Sequence, residues 1–148
     1  SGSSSVIVLN LCGVLCRMGR DYRKLKIYGF AYAFLLRLYR EVLPLLPESE
    51  SRNVFSQLQR AATSIVLNIV EGAANRSNKV FLNHLQYSYG SCKEVEVLLN
   101  LCSDLGFVEA SLFASLSAEF EELKATLYQF MRAVENEVSV KKVNYSLL

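Results

Sequence analysis

Along residues 57–71, Gln57, Arg60, Ser64, Asn68 and Glu71 follow one another at steps of three, four, four and three. That spacing puts an amide, a cation, a hydroxyl, a second amide and a carboxylate on one helical face. The same face is read two ways: as a solvated outer stripe, or as a strip covered by another helix or subunit. Ile65, Leu67 and Ile69 beside it favour the covered reading, because a polar group under cover must be hydrogen-bonded and so fixes register. Downstream, Gly90, Ser91, Glu94 and Glu96 offer partners, with an Arg60 to Glu94 ion pair as the sharpest expectation. Gly90 in mid-helix costs about 1 kcal/mol relative to Ala, which a close helix crossing there would explain.

Other residues carry less chemistry. The single histidine, His84, reads as a boundary residue. An enzyme would need Glu71, Glu94 and His84 to converge in a cleft, and the spacing gives no sign of it. Cys12, Cys16, Cys92 and Cys102 form no Cys-x-x-Cys and have no second His to complete a zinc site. No metal or cofactor is expected, Cys92 and Cys102 are read as buried thiols, and a reducing, cytoplasmic setting is the simplest one. Arg20, Arg23, Lys24 and Lys26 lie among Tyr22, Tyr28 and Tyr32, a mixture that could hold RNA or DNA through phosphates and stacked bases. Tyr28, Tyr32 and Tyr39 also lie near an apolar stripe and are read mostly as core.

The elements that must position these groups are helices. The 148 residues are 51% hydrophobic and 20% charged, with seven Gly, two Pro and no Trp, so the chain is long enough for one domain with a core and short of turn residues for sheets. The first run carries Leu25, Tyr28, Tyr32, Leu35, Leu38, Val42 and Leu45 and closes at Pro44 and Pro47. The second, capped at Ser51, carries Val54, Leu58, Ala61, Ala62, Ile65 and Ile69 and stops at Gly72 in a left-handed cap. Ser77 caps the third, with Phe81, Leu85, Ser88, Cys92, Val95, Leu99 and Cys102 ending at Gly106. Ser111 caps the fourth, with Leu116, Phe120, Leu123, Leu127, Phe130 and Val134, and the period fades beyond Val138.

Four runs of about 22 to 28 residues would be about 33 to 42 Å long at ~1.5 Å per residue. Short links then force neighbours antiparallel, which predicts an all-α, up-down-up-down four-helix bundle over residues 18–140, followed by a C-terminal tail at 141–148. Ser1 to Ser5 read as an expression scar. Val6 to Arg17 reads as native sequence or as a leader upstream of a natural start at Met18; its ten-residue apolar core is too short to cross a bilayer. The net charge of +2 divides unevenly: residues 17–60 hold nine Lys or Arg against four acids, and residues 61–148 seven against ten.

Taken together, Asp21-Tyr22-Arg23-Lys24-Leu25-Lys26, Gln57-Leu58-Gln59-Arg60-Ala61-Ala62-Thr63-Ser64-Ile65, Asn68-Ile69-Val70-Glu71-Gly72, Ser77, Phe81, Gly90-Ser91-Cys92-Lys93-Glu94-Val95-Glu96 and Leu105-Gly106 carry a resemblance. Over about residues 21–135 the chain resembles the small bacterial four helix bundle proteins first described as products of intervening sequences in the large-subunit ribosomal RNA gene. The resemblance implies a cytoplasmic bundle that assembles as a ring, commonly a pentamer, with no known catalytic activity, and it supports the Met18 start. A related branch, the accessory variability proteins of diversity-generating retroelements, implies binding of nucleic acid and of a reverse transcriptase. Members of the family usually carry Pro two residues after the Ser64 position, where this chain has Val66, and the accessory proteins are more basic. The expectation is a non-enzymatic homo-oligomer, with a nucleic-acid-binding accessory protein as the alternative.

Overall fold

The structure, a computed structural model, describes the backbone of residues 19–146 and the side chains of residues 19–140. The expression scar, the leader and the Met18 start lie outside the described residues, as do the side chains of the tail. Among the described residues every regular element is helical. Asp21 accepts the backbone N–H of Arg23 and caps a 3-10 turn, Tyr22–Lys24, that leads into helix α1, Lys26–Arg37. The ladder then widens into a π turn, Leu38–Val42, in which the Leu43 N–H reaches back five residues to the Leu38 carbonyl. Pro44 follows with no N–H to give, and the helix ends in a 3-10 turn at Leu43–Leu45. After a further 3-10 turn, Glu48–Glu50, come α2 (Val54–Ala74), α3 (Asn78–Asp104) and α4 (Ala110–Ser146).

Two of the expected helix ends are as read. The Ser77 side chain accepts from the Val80 N–H, and Gly106 has φ +75°, with the Gly106 N–H on the Ser103 carbonyl and the Phe107 N–H on the Cys102 carbonyl. That pair of bonds is a Schellman motif, which satisfies carbonyls the helix leaves open. Three ends are corrected. Ser51 sits in the turn before α2, and Asn53 takes the cap position without a side-chain bond. Ser111 lies inside the first turn of α4. Gly72 is helical, two residues before the end of α2. A Cβ there would stand 2.7 Å from the His84 Cβ and 2.8 Å from Phe81 Cδ2, so it is Gly because α3 crosses close. Past Val138, where the apolar period fades, α4 continues to Ser146.

The core shows where periodicity was a sound guide. Every apolar position expected in the second run and every heptad position expected in the third is buried. In α4 the expected positions are also buried, apart from Phe130, which is half-buried against the core. At the end of the first run Leu38 and Val42 are buried as expected, but before them the expected stripe is one residue out of phase, and Ile27, Ala31 and Phe34 face inward in place of Tyr28, Tyr32 and Leu35. Tyr32 and Tyr39 are exposed, and Tyr28 is half-buried. The cause is composition, because residues 27–39 are apolar almost all round, and a helix without a polar face has no phase to read.

α2 lies along α3, α3 along α4, and α1 against both α2 and α4, closing a circuit around one core. Phe34 meets Phe120 at 4.7 Å between ring centroids and Phe81 meets Phe130 at 5.6 Å, while the Arg37 guanidinium reaches from α1 to Glu119 on α4 at 2.8 Å. No helix among the described residues is long and apolar enough to cross a membrane.

Candidate functional site

The polar strip of α2 meets α3 along a hydrogen-bonded seam. The buried Ser88 hydroxyl donates to the Ile65 carbonyl at 2.9 Å, anchoring the two helices. One turn outward, the Ser91 hydroxyl donates to the Ser64 hydroxyl at 2.9 Å. The Asn68 amide nitrogen donates to the Ser64 carbonyl and hydroxyl at 2.9 and 3.1 Å. The Asn68 carbonyl oxygen lies 3.1 Å from His84 Nδ1, which makes Nδ1 the protonated ring nitrogen. Glu71 approaches the same nitrogen at 3.9 Å. Ser64 and Asn68 are therefore half-covered by a helix of their own chain, and their lone pairs and protons are used to set its register.

The rest of the strip is open. Gln57, Arg60 and Glu71 are exposed, and Arg60 and Glu71 line a shallow groove of about 570 Å³ with Tyr39, Gln59, Thr63 and Leu67. The expected Arg60 to Glu94 ion pair is not formed within the chain; both side chains are exposed and neither joins an ion pair among the described residues. Glu96 faces α4, where it binds Lys124 at 3.1 Å, and it also binds Lys93 on its own helix at 3.2 Å. Its hydrogen bond to Lys124 holds its carboxyl below the ordinary range, against the opposing effect of burial. Burial opposes the charge on Lys124, but hydrogen bonds to Glu121 and Glu96 outweigh it and leave its pKa raised. Gly90 is exposed with nothing within 4 Å of where a Cβ would stand, so the expected close crossing is at Gly72 and not there.

Of the basic cluster, Arg20 is wound into the fold. Its N–H donates to the Ala73 carbonyl, and its guanidinium binds Asn78 and lies 4.3 Å from the centre of the Phe81 ring. Arg23, Lys24 and Lys26 are exposed, with Arg23 3.5 Å from Asp21. Beside them the Tyr22, Tyr28 and Tyr32 rings run in series at 4.8 and 5.7 Å. Glu71 and His84 do come together, but Glu94 lies ten residues along α3, about 15 Å away at ~1.5 Å per residue, so the acid-base trio does not converge. The described residues hold no cluster of three or more His, Cys, Asp or Glu able to bind a metal. Burial pushes the Cys92 thiol up to about 12, and Cys102 is raised for the same reason.

One surface was missed. Tyr87, Val97, Leu101 and Leu105 are exposed on the outer side of α3, with Tyr87 at 67% and Val97 at 66%. Its signal was in the sequence, because Tyr87, Gly90, Glu94, Val97 and Leu101 keep a three-four spacing outside the core heptad.

Four helices around one core, with a polar seam joining α2 to α3 and an apolar strip beside it, define an all-helical bundle protein whose distinctive chemistry lies on a helix face. Residues 23–129 match the family described as 23S rRNA-intervening sequence protein, and the chain belongs to that family. A crystal structure at 1.70 Å of a protein with unknown function from the S23 ribosomal protein family, from Bacteroides thetaiotaomicron VPI-5482, is similar with a TM-score of 0.66. The two are 22% identical over 72% of this chain and 95% of the other, a likeness that speaks for the fold. No curated protein matches the chain.

Proposed function

We propose that the protein is a non-enzymatic, cytoplasmic assembly or binding protein: an antiparallel up-down-up-down bundle that associates with copies of itself, in a ring of about five chains. The observation that carries this reading is the outer side of α3, where Tyr87, Val97, Leu101 and Leu105 stand in water around an open Gly90. Apolar side chains aligned on one face mark an interaction surface more often than scattered ones do. The Gly90 helix cost of about 1 kcal/mol has no return within the chain and gains one if a partner backbone approaches there. Light scattering of the purified protein tests it: a mass of several chains is expected, and Leu101→Asp should lower it. A monomer at micromolar concentration removes the reading.

A second reading has its own observation. The serial Tyr22, Tyr28 and Tyr32 rings beside Arg23, Lys24 and Lys26 supply the stacking and charge that unpaired RNA or DNA, presented with or without a nucleic-acid enzyme, would use.

A further inference from the structure

We infer that the end of α4, residues 138–148, docks on the outer strip of α3 of a neighbouring copy, so that each contact joins two different surfaces. The inference rests on the assembly reading above and names the surfaces that meet. α3 and α4 pack at matched heights: Glu96 binds Lys124, the Tyr89 and Tyr128 ring centroids are 6.2 Å apart, Phe81 meets Phe130, and the Asn78 amide donates to Glu137 at 2.7 Å. As numbers fall on α3 they rise on α4, and Asn78 is the first residue of α3. α4 continues as helix to Ser146, about 14 Å past Glu137 at ~1.5 Å per residue. No part of α3 lies beside that stretch, and Val140 within it is 60% exposed.

The stretch has the composition of a docking helix. Val140, Val143 and Leu147 keep a three-four spacing, and residues 138–148 hold Lys141 and Lys142 with no Asp or Glu. The outer strip of α3 matches it in kind: Val97, Leu101 and Leu105 are exposed over about 12 Å of helix, within the length that α4 offers. Glu94 and Asp104 flank them, exposed and outside every ion pair of the described residues, so an acidic rim faces a basic segment. A chain cannot cover its own strip in this way. Val97 is about 28 Å along α3 from Asn78, and α4 runs on past the Asn78 end, away from it. The occupant is therefore the α4 end of a second copy. Because the two surfaces differ, every docked copy still has one of them free, and such contacts add copies in one direction until the turn closes, as a ring requires.

Spoiling each surface in turn tests the contact. Val140→Asp combined with Val143→Asp, and separately Leu101→Asp, are each expected to need at least ~10-fold more protein to assemble than the parent chain in light scattering, with unchanged helical circular dichroism and thermal unfolding. An equimolar mixture of the two should give a species of two chains and nothing larger, since an intact α4 end meets an intact strip once and the surfaces left over are both spoiled. A parent chain that is monomeric overturns the assembly reading and this contact with it. An assembled parent whose α4 variant assembles equally well overturns the contact alone and leaves the strip to meet something else. A mixture that stays as single chains, or that regains the parent's full mass, also overturns it.

Discussion

Gly72 shows how one missing methyl sets a helix contact. Its neighbours across the gap are the His84 Cβ and the Phe81 ring, and neither is the far end of a flexible chain, so an added Cβ pushes α2 and α3 apart. Gly72→Ala is therefore expected to destabilise the fold by about 1–3 kcal/mol, despite the better helix propensity of Ala, in urea unfolding followed by circular dichroism. Unchanged or increased stability would mean that the crossing has room to spare. The seam beside it depends on the same closeness, since the Ser88 and Ser91 hydroxyls reach α2 at 2.9 Å. Cysteines at core heptad positions follow the opposite logic: burial that holds Cys92 at about 12 keeps it a thiol and a packing group.

At the scale of elements, α1 differs from the other three helices. α2 and α3 alternate apolar and polar residues clearly enough to orient themselves, and α4 nearly so, but α1 has apolar groups on most of its circumference. What turns Ile27, Ala31 and Phe34 inward is the fit of Phe34 against Phe120, together with Arg37 reaching Glu119 and the Ser115 hydroxyl on α4. The phase has a direct test in paired variants. Ala31→Arg places a charge where there is no partner and should cost roughly 3 kcal/mol or more, while Tyr32→Arg, one residue on, should stay within about 0.5 kcal/mol in the same denaturation assay. Equal costs would return the stripe to Tyr28 and Tyr32.

At the scale of the whole molecule, the excess of positive charge at the front of the chain is smaller in effect than in count. Arg20 is tied to Asn78 and lies over Phe81, and Arg37 bridges α1 to α4. Three exposed cations remain in the Arg20 to Lys26 cluster, and at ~0.7 per phosphate contact they give single-stranded RNA or DNA a log–log salt slope no steeper than about −2. Filter binding across a salt series should show little or no binding if self-association is the main role. A slope near −2, abolished by neutralising Arg23, Lys24 and Lys26 together, would move nucleic acid to first place.

The four helical runs, the buried faces of α2 to α4, the Ser77 and Gly106 helix ends and the polar strip at Gln57, Arg60, Ser64, Asn68 and Glu71 were set by residue type and spacing, because helical periodicity and capping are local properties. Only the tertiary structure decided which side of α1 is buried, that Gly72 and not Gly90 is the point of close approach between α2 and α3, that Glu96 turns to Lys124, and that Arg60 and Glu94 join no ion pair among the described residues. Those outcomes depend on distances between helices far apart in sequence, and the spacing within one helix carries no information about which neighbour it meets or at what height.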